Sequence, residues 1–226
     1  GHWTTEHLFE LGQCYQLYCT HRQMIDECDK EIEKQLVIQI ASKNEGVIPD
    51  IPKVKRKASG KHKVQFNLTA DLKEILKVDV TEVFGINELS ALTILSEVGC
   101  DMTKWKTEHH FTSWLGLAPN TKISGGKVMS SRIMKKKHHA GQAFRMAANG
   151  LYNSKSPLGD YFRRIRAKAG APKAVVATAR KLAIIYYKMV ANKEAFNPKA
   201  LDDYRKKYNE KKINQLKKKI ALLEAA

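Results

Sequence analysis

Acidic side chains are almost absent from one long stretch of this 226-residue sequence. Between residues 109 and 193 the single acid Asp160 faces seventeen lysines and arginines, which supplies +16 of a formal net charge of +17. Charges of one sign repel each other within the protein, so this surface favours a polyanionic partner. Nucleic acid is such a partner, and the counterions that its phosphates release on binding increase the affinity. An acidic membrane surface and simple solubility are the alternatives. The membrane alternative is weaker, since many of these cations lie in a predicted loop and not on one face of an amphipathic helix.

Long apolar runs are also missing. No stretch approaches the roughly 20 consecutive apolar residues of a membrane helix, and the N-terminus lacks the regions of a secretion signal. We therefore expect a soluble, intracellular protein without a membrane partner. The chain begins with Gly1 and not with methionine, which suggests a processed, tagged or shortened product.

Paired cysteine motifs are absent as well. There is no CxxC pair and no flanking histidine at zinc-ligand spacing, so the sequence indicates neither disulfides nor a structural metal. We expect the four cysteines to be buried thiols, and they are Cys14, Cys19, Cys28 and Cys100.

Helical periodicity dominates what is present. In the first forty residues apolar side chains recur mostly three or four positions apart, with charges between them; they are Leu8, Leu11, Tyr15, Tyr18, Ile25, Cys28, Ile32, Leu36 and Ile40. So narrow a stripe on so long a helix predicts pairing with another helix, as a coiled-coil hairpin or a dimer seam. An ordinary core helix is the alternative.

The sequence divides into four regions. Residues 1–43 form the helical coiled-coil or dimerisation segment, and residues 44–68 have the proline, glycine and lysine content of a basic linker. Residues 69–197 form a helical domain, with Thr69 as the predicted N-cap of its first helix. Residues 198–226 form a lysine-rich C-terminal helix.

Within the helical domain we predict helices before Gly116, at about 140–153, at about 157–169 and from Pro172 to about 193. The last has an apolar face that predicts a core helix, made of Val175, Val176, Ala179, Leu182, Ala183, Tyr186 and Val190. No alternating run is long enough to demand a large sheet. The predicted fold class is mainly α, with a long coiled-coil segment followed by a compact helical domain.

The stretch VFGINELSALTILSEVG predicts a helix-hairpin-helix-like element. Gly85 opens a turn before a helix, whose unpaired N–H groups suit a phosphate. Asn87 stands where such hairpins usually have a second glycine, and asparagine tolerates the left-handed conformation second best. An ordinary capped helix is the alternative.

The loop LAPNTKISGGKVMSSRIMKKKHH raises the question of chemistry. A phosphate-binding loop is excluded because the GxxxxGK[ST] frame is missing and Val128 replaces the magnesium-binding hydroxyl. A Ser-His-Asp hydrolase is excluded because the GxSxG turn is missing and the neighbouring sequence offers no carboxylate to orient His138 or His139. Metal ligands are not indicated anywhere in this region.

The remaining candidate is the Ser124 hydroxyl, which a large substrate can approach closely because Gly125 and Gly126 have no side chains. Surrounding cations could stabilise charge on a phosphodiester under attack; they are Lys122, Lys127, Arg132, Lys135, Lys136 and Lys137. The alternative is a turn that grips phosphate, in which Ser124 only donates a hydrogen bond. The residues alone leave both open.

Nearly the whole chain resembles one known family, in order. From about residue 86 to 197, the segments LSEVGCDMTKW, HFTSWLGLAPNTKISGGKVMSSR and AFRMAANGLYNSKSPLGDYFRRIRAKAGAPKAVVATARKLAIIYYKM resemble the C-terminal transposase domain of the IS-one-ten insertion sequences. That family includes the Piv and MooV DNA invertases. The first 36 residues resemble the coiled-coil segment that precedes this domain.

The resemblance implies a recombinase that cuts and joins DNA under the guidance of a structured RNA. It makes Ser124 the nucleophile, with Gly125 beside it. The family's other catalytic half is an N-terminal RuvC-like domain with four acids that bind magnesium, and this chain lacks it. We therefore expect no cofactor within this chain, Mg²⁺ only with the missing domain, and no strand transfer by this fragment alone.

The resemblance also implies partners and a location. They are DNA, a structured guide RNA and further copies of the chain, as a homodimer or larger homo-oligomer, in the prokaryotic cytoplasm near the nucleoid. Besides the loop cations, the predicted nucleic-acid-binding residues are Arg145, Arg163, Arg164, Gly85 and Asn87. One departure is that the family usually has asparagine and a basic residue after the lysines, where this chain has His138-His139-Ala140. The alternative function is a non-catalytic, nucleic-acid-binding remnant of such a transposase.

Overall fold

The computed structural model describes residues 2–44, 64 and 66–224. These residues form eight α-helices, two short 3-10 turns and one two-stranded sheet, so the predicted mainly α fold class is confirmed. The chain divides into two compact units, residues 1–75 and 76–226. Most of the predicted linker, 45–63 and residue 65, lies outside the described residues.

The first unit contains helices α1 (Thr5–Lys43) and α2 (Leu68–Leu76). The predicted long N-terminal helix is confirmed, and Lys43 at its end donates a hydrogen bond of 2.8 Å to the carbonyl of Ile75 in α2. Of the predicted apolar stripe only Leu36 and Ile40 are buried. The predicted N-cap at Thr69 is wrong, because α2 already begins at Leu68.

The cysteine prediction is also wrong. Cys14, Cys19 and Cys28 are exposed and Cys100 is half-buried. The first three lie on α1, in which every side chain from residue 5 to residue 35 is exposed or half-buried. Burial of a thiol needs a packed neighbour, and nothing within the described part of the unit covers this length of helix.

The second unit carries the remaining elements. They are the 3-10 turn Val80–Glu82, α3 (Glu88–Val98), α4 (Glu108–Trp114), β1 (Lys122–Ser124), β2 (Lys127–Ser130), α5 (His139–Gly150), the 3-10 turn Leu151–Asn153, α6 (Pro157–Ala169), α7 (Ala171–Asn192) and α8 (Pro198–Glu224). The predicted helices that end before Gly116, and those near 140–153, 157–169 and 172–193, are confirmed.

Helix α7 is the centre of the second unit and packs against α4, α5 and α6. Most of its predicted core face is buried, although Val175 and Val176 are only half-buried. The core is rich in aromatic rings around the fully buried Phe111, whose ring centroid lies 4.9 Å from Trp105, 5.7 Å from Tyr187 and 6.5 Å from Phe144. Each such ring buries about 150–250 Å² of surface, so these rings contribute much of the stability of the helical layer that carries the loops.

The segment predicted as a loop is different in the structure. Residues 122–130 form an antiparallel hairpin, which an isolated bridge between Pro119 and Ile133 extends. The amide of Asn120 donates a hydrogen bond of 2.9 Å to the carbonyl of Arg132. We refer to residues 119–133 as the basic hairpin.

Candidate nucleic-acid interface

A two-residue glycine turn shapes the tip of the basic hairpin. Ser124 pairs with Lys127 across the turn, and both Gly125 and Gly126 have positive φ, at 56° and 75°. Positive φ at both central positions is the requirement of a type I′ hairpin turn, which glycine meets without steric cost. An added Cβ at either glycine would meet no atom within 4 Å. The backbone conformation therefore favours glycine here, while the space around the turn stays open for a large ligand.

Strand register places Ser124 on a cationic face. Residues directly opposite each other share a face, as do residues two apart on one strand. Ser124 therefore shares its face with Lys127 across the turn and with Lys122 on its own strand. All three are exposed, and the Ser124 hydroxyl has no hydrogen-bond partner among the described residues. This arrangement leaves the hydroxyl and two ammonium groups available to one phosphate backbone.

The predicted cations differ in how available they are. Lys122, Lys127, Arg132, Lys135 and Lys137 are exposed, and their side chains have no hydrogen bond or ion pair within the described chain. Two others help to hold the fold. Lys136 donates to the carbonyl of Ser113 at 3.3 Å, and Arg145 in α5 donates to the carbonyl of Gly116 at 3.0 Å.

The two predicted arginines of α6 also have partners within the chain. Arg163 donates hydrogen bonds of 2.7 Å to the carbonyls of Tyr152 and Ser154 and pairs with Asp160. Arg164 lies 3.7 Å from the ring centroid of Tyr208 in α8, a cation-π contact. These contacts tie α6 to its surroundings, so both arginines stabilise structure.

Asp160, the lone acid of the basic stretch, is fully engaged in this arrangement. Besides Arg163 it binds Arg205 of α8 at 2.7 Å. The carboxylate is therefore neutralised by two guanidinium groups, which leaves it poorly suited to a metal ion.

A carboxylate does orient His138, contrary to the expectation from the neighbouring sequence. Glu97, 41 positions earlier in α3, lies 2.8 Å from the Nδ1 atom of His138. Its other oxygen accepts a hydrogen bond of 2.6 Å from the amide of Ala140 in the first turn of α5. The His138 ring also packs on Trp114 with a centroid distance of 4.2 Å. The exclusion of a Ser-His-Asp hydrolase still stands on the missing GxSxG turn, but its second reason was wrong.

Several forces act on the pKa of Glu97. Burial alone would raise the pKa of this carboxyl, but the Ala140 amide and the rings of His138 and His139 outweigh it and lower the pKa from its ordinary value. The group is thus held as a carboxylate. Through its contacts with the Ala140 amide and with His138, the Glu97 carboxylate holds the start of α5 and the end of the basic segment 134–138 together.

The turn before α3 is tightly packed. A Cβ on Gly85 would lie 2.8 Å from the carbonyl oxygen of Ala147 in α5, and the φ of Gly85 is 88°. Glycine is therefore needed for close approach of this turn to α5. Asn87 does not adopt the left-handed conformation, since its φ is −100° and its side chain caps α3 by accepting from the amide of Ser90. A capped helix preceded by a single 3-10 turn is what the structure contains here.

Across residues 2–44, 64 and 66–224, no group of three or more His, Cys, Asp or Glu side chains is arranged to hold a metal ion. In the same part of the chain no helix has the length and apolar character needed to cross a membrane.

Comparison with known protein families gives one match, and it covers the hairpin. Residues 79–163 match the model of the Transposase IS116/IS110/IS902 family. The matched segment runs from the turn before α3 to α6, and it includes Ser124, the loop cations, Glu97 and His138. The match confirms the resemblance to IS-one-ten transposases over this part of the chain and supports a role in DNA transposition or recombination. Neither a curated protein nor a solved structure matches the chain significantly.

Proposed function

We propose that this chain is the nucleic-acid-binding and nucleophile-bearing part of an RNA-guided DNA transposase. The observation that carries the proposal is the position of Ser124. It is an exposed hydroxyl at the tip of a hairpin, on one face with Lys122 and Lys127, inside the segment that matches a transposase family. DNA and a structured guide RNA are the proposed polyanions.

The proposed chemistry is a transesterification. The Oγ atom of Ser124 attacks a DNA phosphorus, the Oγ–P bond forms, and the bond from phosphorus to one sugar oxygen breaks. The serine proton ends on that departing oxygen, so atoms balance and the number of phosphate ester bonds is conserved. Attack by a second sugar hydroxyl reverses the process and rejoins DNA. Lys122 and Lys127 stabilise the charge that develops on the phosphate oxygens.

We further propose that the magnesium-binding carboxylates belong to a separate domain, as the family resemblance implies. In this chain the acids nearest to the basic hairpin in sequence are Glu108 before it and Asp160 after it, and both already have partners. Glu108 pairs with Lys188 at 3.7 Å, and Asp160 binds two arginines.

We also propose that α1 pairs with α1 of a second copy. Its apolar stripe is largely uncovered, with Leu8, Tyr15 and Ile25 exposed by 57%, 66% and 54%. At 39 residues and about 1.5 Å per residue the helix is some 58 Å long. Helices in proteins are stabilised mainly by packing of an apolar face against a neighbour. A stripe with a spacing of three and four residues is the pattern of a coiled-coil seam.

A denaturing gel tests the nucleophile. The protein with its metal-binding domain is incubated with guide RNA and labelled DNA, and a protein-DNA adduct is expected. Ser124→Ala should abolish the adduct. Ser130→Ala, in the other strand of the same hairpin, is the matched control and should retain it. An adduct that survives Ser124→Ala refutes the assignment.

Binding is tested separately with the 226-residue chain. Phosphate contacts predict a steep fall of affinity with salt, by orders of magnitude between about 50 and 200 mM when six or more phosphates are neutralised. Binding without any adduct in the intact protein would support the non-catalytic alternative. Affinity that does not respond to salt would contradict both functions.

A further inference from the structure

The basic hairpin has a second, apolar face that the proposed chemistry does not use. Ile123 and Val128 lie directly opposite each other in β1 and β2, and their side chains are exposed by 65% and 62%. Met129 follows Val128 at the point where the strand register shifts, and it is exposed by 71%. In the described chain the two strands pair only with each other, so no layer covers this face.

Strand alternation separates this face from Ser124. Ile123 lies between Lys122 and Ser124 on β1, and Val128 follows Lys127 on β2. Neighbouring side chains on a strand point to opposite faces. The hairpin is therefore a ribbon with a serine and two lysines on one side and a cross-strand aliphatic pair on the other.

Charge restricts what can cover the aliphatic pair. Residues 109–159 contain no acid, so the face is bordered by uncompensated cations, among them Lys122, Lys127 and Arg132. An ordinary protein surface carries cations as well as anions, and its cations would be repelled by those around this face. A nucleic-acid strand instead brings phosphates for the lysines and nucleobases, which have flat apolar faces, for the aliphatic side chains. Apolar wedges that insert between bases are an established mode of contact.

We propose that the apolar face of Ile123 and Val128 packs against exposed bases, so that the hairpin acts as a wedge between strands. This inference rests on the proposed nucleic-acid-binding function. The face with Ser124 meets the phosphate backbone of one strand, while the opposite face covers unpaired bases of the other. A Cβ atom added at Gly125 or Gly126 would meet no atom within 4 Å. This open turn lets the tip of the hairpin enter between two nucleic-acid strands.

The test separates base contacts from phosphate contacts. The probes are an oligothymidylate and an abasic strand of the same length, which has phosphates and sugars but no bases. The double variant Ile123→Thr/Val128→Thr keeps β-branching, so the strands retain their preferred residues. It replaces an ethyl group of Ile123 and a methyl group of Val128 with a hydroxyl. Lys122→Gln is the matched control on the other face.

The wild-type chain should bind the oligothymidylate about five- to tenfold more tightly than the abasic strand, the change expected from burying one or two aliphatic side chains. The double variant should lose this preference and keep the slope of log affinity against log salt. Lys122→Gln should keep the preference and reduce that slope by about 0.7, as for one phosphate of a single strand.

A base preference that survives in the double variant overturns the proposal, and so does a wild-type chain without any preference. Failure of the wild-type chain to bind either strand would instead contradict the proposed nucleic-acid-binding function. A circular dichroism spectrum and melting temperature like those of the wild type show that the double variant is folded, so that a lost preference reports contact and not unfolding.

Discussion

Replacing Glu97 with alanine removes a support on which α5 and the basic segment both depend. The carboxylate accepts from the Ala140 amide at 2.6 Å and contacts His138 at 2.8 Å. A lost capping interaction costs about 1 kcal/mol, and a hydrogen bond to a charged group contributes about 1.5–3 kcal/mol. We therefore expect Glu97→Ala to lower the free energy of unfolding by about 2–4 kcal/mol, or Tm by about 5–15 °C for a unit of this size.

The pH dependence of this loss identifies the carboxylate as its cause. The folded state lowers the pKa of Glu97, so its stabilisation is fully present above the unfolded pKa of about 4.3 and is lost as pH falls through the folded value. Glu97→Gln keeps an acceptor for the Ala140 amide but does not titrate. The stability difference between wild type and Glu97→Gln should therefore be largest near neutral pH and shrink in acid.

Thermal and urea unfolding between about pH 3 and 7 measure both effects. Glu194→Gln is the control, since Glu194 is exposed and its substitution should change stability by less than about 0.5 kcal/mol. A Glu97→Ala variant as stable as the control, or a stability difference that does not depend on pH, would refute this account of the Glu97 contacts.

Three further predictions concern the turn, α1 and α8. Gly126→Ala should weaken the hairpin, because the positive φ of Gly126 strains an alanine side chain. Gly125→Asn should be tolerated, since Asn-Gly suits a type I′ turn. Amide hydrogen exchange within the hairpin measures both effects. Ile25→Asp should dissociate the proposed α1 dimer in sedimentation, and Ile38→Asp, on an exposed position outside the stripe, should not. Asp160→Asn should free α8 to faster proteolysis with a stability loss below about 1 kcal/mol, as expected for exposed ion pairs; an unchanged cleavage rate would contradict the tether.

The helices could be predicted because their signals are local. The periodic apolar positions of α1 and α7, Pro172 in the first turn of α7 and the glycine after α4 all act over a few residues. These signals placed most helix boundaries within two or three positions. The mainly α fold follows from them without any knowledge of tertiary contacts.

The basic hairpin was missed although a signal for it was present. Its strands are only three and four residues long, too short for the alternation that identifies a strand. The pair Gly125-Gly126 between alternating polar and apolar residues is nevertheless a sequence pattern of a type I′ hairpin.

Other features depend on contacts that a linear pattern does not contain. Glu97 and His138 are brought together by the packing of α3 against α5, and the carboxylate therefore lies outside any local motif. The contacts of Arg163 similarly depend on α6 meeting the segment that carries Tyr152 and Ser154, and those of Arg164 on α6 meeting α8. Sequence charge indicated a basic surface, but it could not separate the lysines that face solvent from the arginines that hold helices together.

The covalent link between Ser124 and DNA tests the central claim most directly. Trypsin cuts after Lys122 and Lys127, so the peptide 123–127, ISGGK, contains Ser124 as its single hydroxyl side chain. After the intact protein reacts with DNA and the DNA is digested with nucleases, mass spectrometry should find a nucleotide remnant on this peptide. A remnant on another peptide, with ISGGK always unmodified in an active reaction, would contradict the account.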